Sequence, residues 1–280
     1  MRGLVNLLTL LANRHIPEGK AREMRARKLR RLIDTAWRVP YYRNLFQSNG
    51  IKPGDIRDVR DLSLVPVTRK EDIQGLPAEE VTVEGVDPDE CGHRSTSGAT
   101  GEPLEILTRP SDLAMTNASF LRAYMEWGMK PWHRTASFQV RRAWLAKKKS
   151  WYQHLRIFPC QMLYSGKPAG EVIEDLSSWR PYLLCGYPMT LELAAQSFRR
   201  AGARLKIPLV ASCSGVLPAA GRSLLEEVFE ARVVDIYASE EAGSVIAWEC
   251  PDCGKYHVAK DNVIVEVLTG GMPTAPGEKG

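Results

Sequence analysis

Apolar and polar positions change period several times along the chain. Leu29, Leu32, Ile33, Ala36 and Trp37 recur at helical spacing among Arg and Lys, which predicts an amphipathic helix over 20–38. Val39-Pro40 ends it, because the residue before a proline is pushed out of the helical region. Residues 41–75 read as short helices and turns. Val81-Thr82-Val83 and Leu104-Glu105-Ile106-Leu107 read as short strands, and 111–128 as a helix with Ser111 as its N-cap. Further on, helical periods at Leu191–Arg200 and Gly221–Glu230 alternate with β-type runs. The runs are Lys206–Ala211, Val233–Tyr237, Val245–Trp248 and Val263–Leu268, with a further strand expected at 137–140. Strands alternating with helices predict an α/β fold on a largely parallel sheet.

Composition narrows this little. The 280 residues are 44% hydrophobic and 25% charged, ordinary for a globular chain. There is no apolar run of about 20 residues, so no membrane span is expected. The apolar stretch 3–12 is short and lacks a small-residue cleavage site, unlike a signal peptide. Six cysteines in this length do not make a disulfide scaffold, and a reducing cytoplasm is the expected setting.

Charge is more telling. The net charge is +5, yet residues 1–31 hold nine Arg or Lys against two Glu. The basicity therefore belongs to one segment, and the helix in it is expected to be docked with a solvated basic face rather than bound to nucleic acid or anionic lipid. The run Lys147-Lys148-Lys149 beside Arg141 and Arg142 reads as a solvated loop.

The most informative segment is Ser95-Thr96-Ser97-Gly98-Ala99-Thr100-Gly101-Glu102-Pro103. Hydroxyls and exposed backbone N–H groups are the donors a polyphosphate needs, and glycine lets the backbone curl around it. Lying just ahead of the strand at 104–107, the loop is expected at a hairpin mouth. No Gly-Lys-Ser/Thr follows, so it is not the P-loop of the NTPases. A flexible linker is the plainer reading of its composition. A second segment, Asp235-Ile236-Tyr237-Ala238-Ser239-Glu240-Glu241, follows a β-type run. There Tyr237 is placed to stack on a base, Asp235 to accept from an exocyclic amine and Glu241 to hold Mg²⁺ through oxygen.

Taken together, these segments resemble adenylate-forming enzymes, in the branch near phenylacetate–CoA ligase. Thr96 to Pro103 is similar to the loop Thr-Ser-Gly-Thr/Ser-Thr-Gly-x-Pro, with Ala99 in place of a hydroxyl residue and Leu104 where many members carry Lys. Tyr237 to Glu241 is similar to Tyr-Gly-x-Ser/Thr-Glu, with Ala238 in place of Gly and Glu240 in place of Ser/Thr. The extra carboxylate of Glu240 is expected to repel phosphates or an acid substrate. Ser214-Gly215 stands where relatives have an adenine-contacting turn. Val39–Arg43, Leu64–Lys70 and Cys185–Pro188 also fit this branch, so the likeness covers roughly residues 30–280.

The resemblance implies the large N-terminal adenylation domain, with mixed sheets layered with helices. Its part at 1–90 would be helical and irregular, and 91–280 would be the nucleotide-binding α/β part. ATP and a carboxylic acid would give an acyl-adenylate and pyrophosphate, and the acyl group would pass to coenzyme A. Thr96, Ser97, Gly98, Ala99, Thr100 and Gly101 would hold the phosphates, with Thr100 and Glu241 closest to the chemistry and Glu241 on Mg²⁺. Ser214, Gly215, Asp235, Tyr237, Ala238 and Ser239 would hold the nucleoside. No nucleophilic side chain is required, in keeping with the lack of a Gly-x-Ser-x-Gly elbow or a His-Glu-x-x-His helix. Family members continue beyond the position of Gly280 with a ribose-gripping Asp, a hinge and a small C-terminal lid. The expectation is an incomplete core, which makes a nucleotide-binding remnant the alternative to a ligase. Tyr187, Pro188 and the 137–140 strand are places to look for the acid.

Cys250-Pro-Asp-Cys253-Gly254-Lys-Tyr-His257 has the Cys-x-x-Cys-Gly spacing of a zinc knuckle plus a His. A structural Zn²⁺ is expected over a redox pair or unrelated residues. Cys91, His93, Cys185, Cys213 and Asp261 are candidates for a fourth ligand.

Overall fold

The computed structural model describes residues 2–96, 103–139, 151–269, 272–275 and 277–278. The chain forms two compact units. One comprises 1–118, 240–244 and 258–280, and the other 119–239 and 245–257.

The first unit opens with α1 (Arg2–Ala12), α2 (Glu18–Ala36) and α3 (Pro40–Ser48). Pro40 does end the preceding helical run, but it also begins α3, since proline at the first helical position sacrifices no hydrogen bond. Leu29 and Ile33 of α2 pack on Phe46, Ile51 and Ile56 in a small core. The basic face of α2 is docked in part: Arg22 pairs with Asp58 and Lys28 donates to the carbonyl of Asp261, while Arg25 pairs with Glu18 within the helix. Irregular turns and the short α4 (Lys70–Ile73) lead to the hairpin β1 (Gly92–Ser95) and β2 (Glu105–Thr108), then to α5 (Pro110–Glu126).

Three sequence expectations fail in this unit. Val81–Val83 is no strand; Ala78–Val81 forms a 3-10 turn after Pro77. Val263–Leu268 alternates in sequence but stays irregular, and only Leu268–Thr269 pairs, with Met272–Pro273. Alternation without a partner ladder does not make a strand. Ser111 is not the N-cap of α5 but lies inside it. Asp112 reaches back to the Arg109 N–H at 3.1 Å, as Asp61 does to Asp58 and Asp72 to Arg69.

The second unit carries a sheet in the order β4-β3-β5-β6-β7-β8-β9. Its strands are β3 (Thr135–Gln139), β4 (Cys160–Tyr164), β5 (Leu183–Gly186), β6 (Leu209–Cys213), β7 (Arg232–Ser239), β8 (Ser244–Glu249) and β9 (Tyr256–Val258). The pairs β3–β4, β3–β5, β5–β6 and β6–β7 are parallel, as the alternation of elements predicts. The short α6 (Trp151–His154) precedes β4, and the crossovers are α7 (Ala169–Trp179), α8 (Pro188–Arg200) and α9 (Ala219–Phe229). Together they cover one sheet face with Leu176, Leu191, Phe198, Leu225 and Phe229 on Phe138, Leu184, Val210 and Val233. The basic run at 141–149 lies outside the described residues.

Candidate functional site

In the first unit the expected hairpin mouth is present. Gly92 to Ser95 pair in register with Thr108 to Glu105, and the Ser/Thr/Gly segment joins the two strands. Thr96 closes its base: its N–H donates to the Leu104 carbonyl at 3.0 Å, and its hydroxyl oxygen accepts from the Leu104 N–H at 2.9 Å. That oxygen is thereby engaged at the loop's base. Ser97, Gly98, Ala99, Thr100 and Gly101 lie outside the described residues.

The turn at Glu240–Ser244 belongs to the same unit. It is held from three sides. The Thr116 hydroxyl donates to the Gly243 carbonyl, the Asn262 amide to Ser244 Oγ, and Gly243 N–H to the Glu240 carbonyl. Its carboxylates have different fates. Glu241 is exposed, and its carboxylate has no partner among the described residues. Glu240 is taken by Arg94, one residue short of the end of β1, in a two-pronged ion pair whose Nη2–Oε1 arm is 2.7 Å. Both groups are partly buried, at 25% and 35% exposure, where such a pair is shielded from water more than a surface bridge. The carboxylate expected to repel phosphates is therefore neutralised by its neighbour. Among the described residues, Glu241 is left as an uncommitted oxygen donor. Nothing in the spacing of residues 94 and 240 signalled this pair.

In the second unit, β6 ends in the Ser214–Gly215 turn. Ser214 is held in the left-handed region at φ +63°, and a Cβ on Gly215 would come within 3.2 Å of the Pro188 ring, so a side chain there would press that ring aside by a few tenths of an ångström. On β7, Tyr237 projects outward, 59% exposed, as a stacking residue must, while Ala238 and Ser239 complete the strand half-buried.

Asp235 is more constrained. Its N–H donates to Glu249 Oε2 at 2.9 Å, and Arg222 Nη2 donates to both Glu249 oxygens, Oε1 at 2.8 Å and Oε2 at 2.7 Å. Its Oδ2 accepts from the Tyr256 hydroxyl at 2.5 Å. Its Oδ1 is buried with no partner among the described residues. Leaving a buried acceptor unmade costs about 1–3 kcal/mol, which a donor arriving there would recover.

The knuckle also lies in this unit. Sγ of Cys250, Sγ of Cys253 and a ring nitrogen of His257 all lie within 4.8 Å of one another. Around a tetrahedral zinc, donors sit roughly 3.5–3.8 Å apart, so only a small contraction closes the set. Locally the chain is wound for it: Gly254 turns with φ +64°, its N–H donates to the Cys250 carbonyl, and Cys250 N–H donates to the Lys255 carbonyl. The backbone N–H groups of Asp252 and then Cys253 point at the Cys250 sulfur and lower its pKa, favouring the thiolate a metal needs. Two sulfurs and an imidazole suit Zn²⁺.

Among the described residues none of the five fourth-ligand candidates joins the group. Burial pushes the Cys213 thiol up to about 12 and also raises Cys185, leaving both as protonated donors to backbone carbonyls. His93 pairs with Glu105 at 2.7 Å, the Cys91 thiol meets the Asp87 carbonyl, and Asp261 accepts from the Asn13 amide.

No family model matches the chain. A curated relative, phenylacetate-coenzyme A ligase of Thermus thermophilus, is 24% identical over 285 residues, covering 95% of this chain and 61% of the relative. Among solved structures, an open conformation of 2-hydroxyisobutyryl-CoA ligase with 2-HIB-AMP and CoA superposes with TM-score 0.78 at 18% identity, covering 94% of this chain and 60% of that one.

The fold is that of the adenylate-forming CoA ligases.

An anthranilate CoA ligase in complex with anthranoyl-AMP matches more loosely, with TM-score 0.51, 17% identity, and 75% and 41% coverage. The likeness to the phenylacetate–CoA ligase-like branch, expected from the motifs over roughly residues 30–280, extends over 95% of the chain. The chain spans about 60% of the length of the first of these relatives. No described helix is long and apolar enough to cross a membrane.

Proposed function

We propose that this chain activates a small carboxylic acid with ATP as an acyl-adenylate, the first half of a reaction that ends on coenzyme A. The observation that carries this reading is the Arg94–Glu240 pair. It ties β1, the strand that leads into the Ser/Thr/Gly loop, to the turn that carries Glu241. Similarity to a phenylacetate-coenzyme A ligase supports it from the sequence side.

In this reading Thr96, Ser97, Thr100 and the amides of Gly98, Ala99 and Gly101 hold the phosphates. Asp235, Tyr237, Ala238, Ser239, Ser214 and Gly215 hold the nucleoside. Glu241 would hold Mg²⁺, which when bound offsets phosphate charge. The chain's own part is positioning and charge compensation, with the carboxylate presented in line to the α-phosphate. The knuckle is read as a structural zinc site. Metal analysis of the purified chain should find about one zinc, and less than roughly half an equivalent would remove that reading.

The test is ATP–pyrophosphate exchange with aryl and medium-chain acids. Acid-dependent exchange is expected, and Glu241→Gln should weaken the Mg²⁺ dependence of ATP binding. ATP binding without exchange for any acid would leave a nucleotide-binding protein instead. Absence of nucleotide binding would end both readings.

A further inference from the structure

The two ends of the knuckle converge on one residue. Glu249, immediately before the ligand Cys250, accepts the backbone N–H of Asp235 at 2.9 Å. Tyr256, immediately before the ligand His257, donates its hydroxyl to Asp235 Oδ2 at 2.5 Å. The residues flanking the metal ligands on their N-terminal sides thus hold the main chain and the side chain of the same aspartate. The third polar atom, Oδ1, is buried and has no partner among the described residues.

The two grips differ in strength. Glu249 is braced by Arg222, which also donates to the Val233 carbonyl at 2.7 Å, and by the Trp127 indole on its carbonyl at 2.7 Å. Tyr256 stands on the three-residue edge strand β9, exposed along its whole length. A short exposed edge strand has little packing to fix its register. Its neighbour His257 is the donor that a metal would tie back to Cys250 and Cys253.

We propose that Tyr256 is a positioning residue through which metal occupancy of the Cys250–Cys253–His257 knuckle sets the affinity of Asp235 for the amino group of a purine nucleotide. A closed knuckle holds Tyr256 on Oδ2 and leaves Oδ1 oriented as the remaining acceptor. An open knuckle frees β9, and the carboxylate loses the bond that fixes its rotamer. This rests on the nucleotide-binding reading above and adds to it a control by metal.

The experiment uses the whole chain, stripped with a chelator or reloaded with zinc, and measures AMP binding by calorimetry. Zinc affinity is measured in parallel with a chromophoric chelator, with and without saturating AMP. Zinc should tighten AMP binding by about fivefold or more, and AMP should tighten zinc binding by the same factor, because coupling free energy is reciprocal. Tyr256→Phe should retain its zinc and bring both ratios close to one. Cys253→Ser, whose thiol is exposed, should hold AMP affinity at the stripped level whatever the zinc concentration. Equal AMP affinity in the loaded and stripped wild type overturns the coupling and leaves the nucleotide site standing. Full coupling in Tyr256→Phe overturns the role of Tyr256. No AMP binding in either form overturns the nucleotide reading itself.

Discussion

The hairpin around residues 92–108 and the knuckle around 249–257 are both short loops carrying candidate chemistry, but they are fixed in opposite ways. The knuckle is wound from within: eight residues bring two sulfurs and an imidazole together, with Gly254 and a backbone–sulfur cradle supplying the turn. The hairpin is fixed from without, since its base is tied by Arg94 to a glutamate 146 residues further along. Local geometry leaves a signature in spacing, whereas a remote ion pair leaves none. The hairpin should therefore be fragile to a distant substitution and the knuckle indifferent to one.

The largest expected effect is a control that separates loss of fold from loss of either loop. Phe198 is fully buried against Phe229. Phe198→Ala should cost about 3–5 kcal/mol in denaturant unfolding, far more than any loop substitution. Next, Arg94→Glu places two like charges at the hairpin base, and acid-dependent exchange should fall about 10- to 100-fold, the worth of a charge-assisted hydrogen bond. Zinc content should not change, and adding Glu240→Arg should restore much of the loss. If the double swap restores nothing, the pair does more than tie two segments together.

Gly254→Ala forces a Cβ into the left-handed region and should weaken zinc binding about tenfold, at roughly 1–2 kcal/mol, with exchange unaffected by any route except the metal. The smallest effect concerns Asp61, whose carboxyl is lowered below its ordinary 3.8 by the backbone N–H groups of Arg57 and then Asp58. A depressed folded pKa stabilises above the ordinary value and is lost as pH falls through the folded one. Wild type and Asp61→Asn should therefore differ in thermal stability above about pH 4 and converge in stronger acid. A gap that persists at low pH would mean that the bonds matter without the charge.

Much of the α/β unit was legible. The periods at Leu191–Arg200, Gly221–Glu230 and Val233–Tyr237 became α8, α9 and β7 with small shifts at their ends. Elements that bury one face repeat their pattern over several turns, so the pattern survives in the chain. The irregular first unit was less so. Val263–Leu268 alternates like a strand yet finds no ladder, and Val81–Val83 yields to the turn after Pro77. Ser111 was passed over as a cap because Asp112, one residue on, reaches the Arg109 N–H. Of the candidate site, the Cys-x-x-Cys-Gly-x-x-His spacing was fully readable, and so were the residue types of the hydroxyl-rich loop at 95–103.

By itself, then, the sequence determined the alternation that builds the parallel sheet, the clustering of Cys250, Cys253 and His257, and the hydroxyl-rich loop between two strands. Each depends on residues a few positions apart, where chain geometry alone decides what can meet. Only the tertiary structure decided that Glu240 is neutralised rather than repelling. Only it decided that Glu241 keeps a carboxylate uncommitted among the described residues, and that Glu249 and Tyr256 both close on Asp235. Those outcomes depend on segments brought together by burial of the sheet and of the small helical core, and the free energy that joins them is spread over side chains far from either motif.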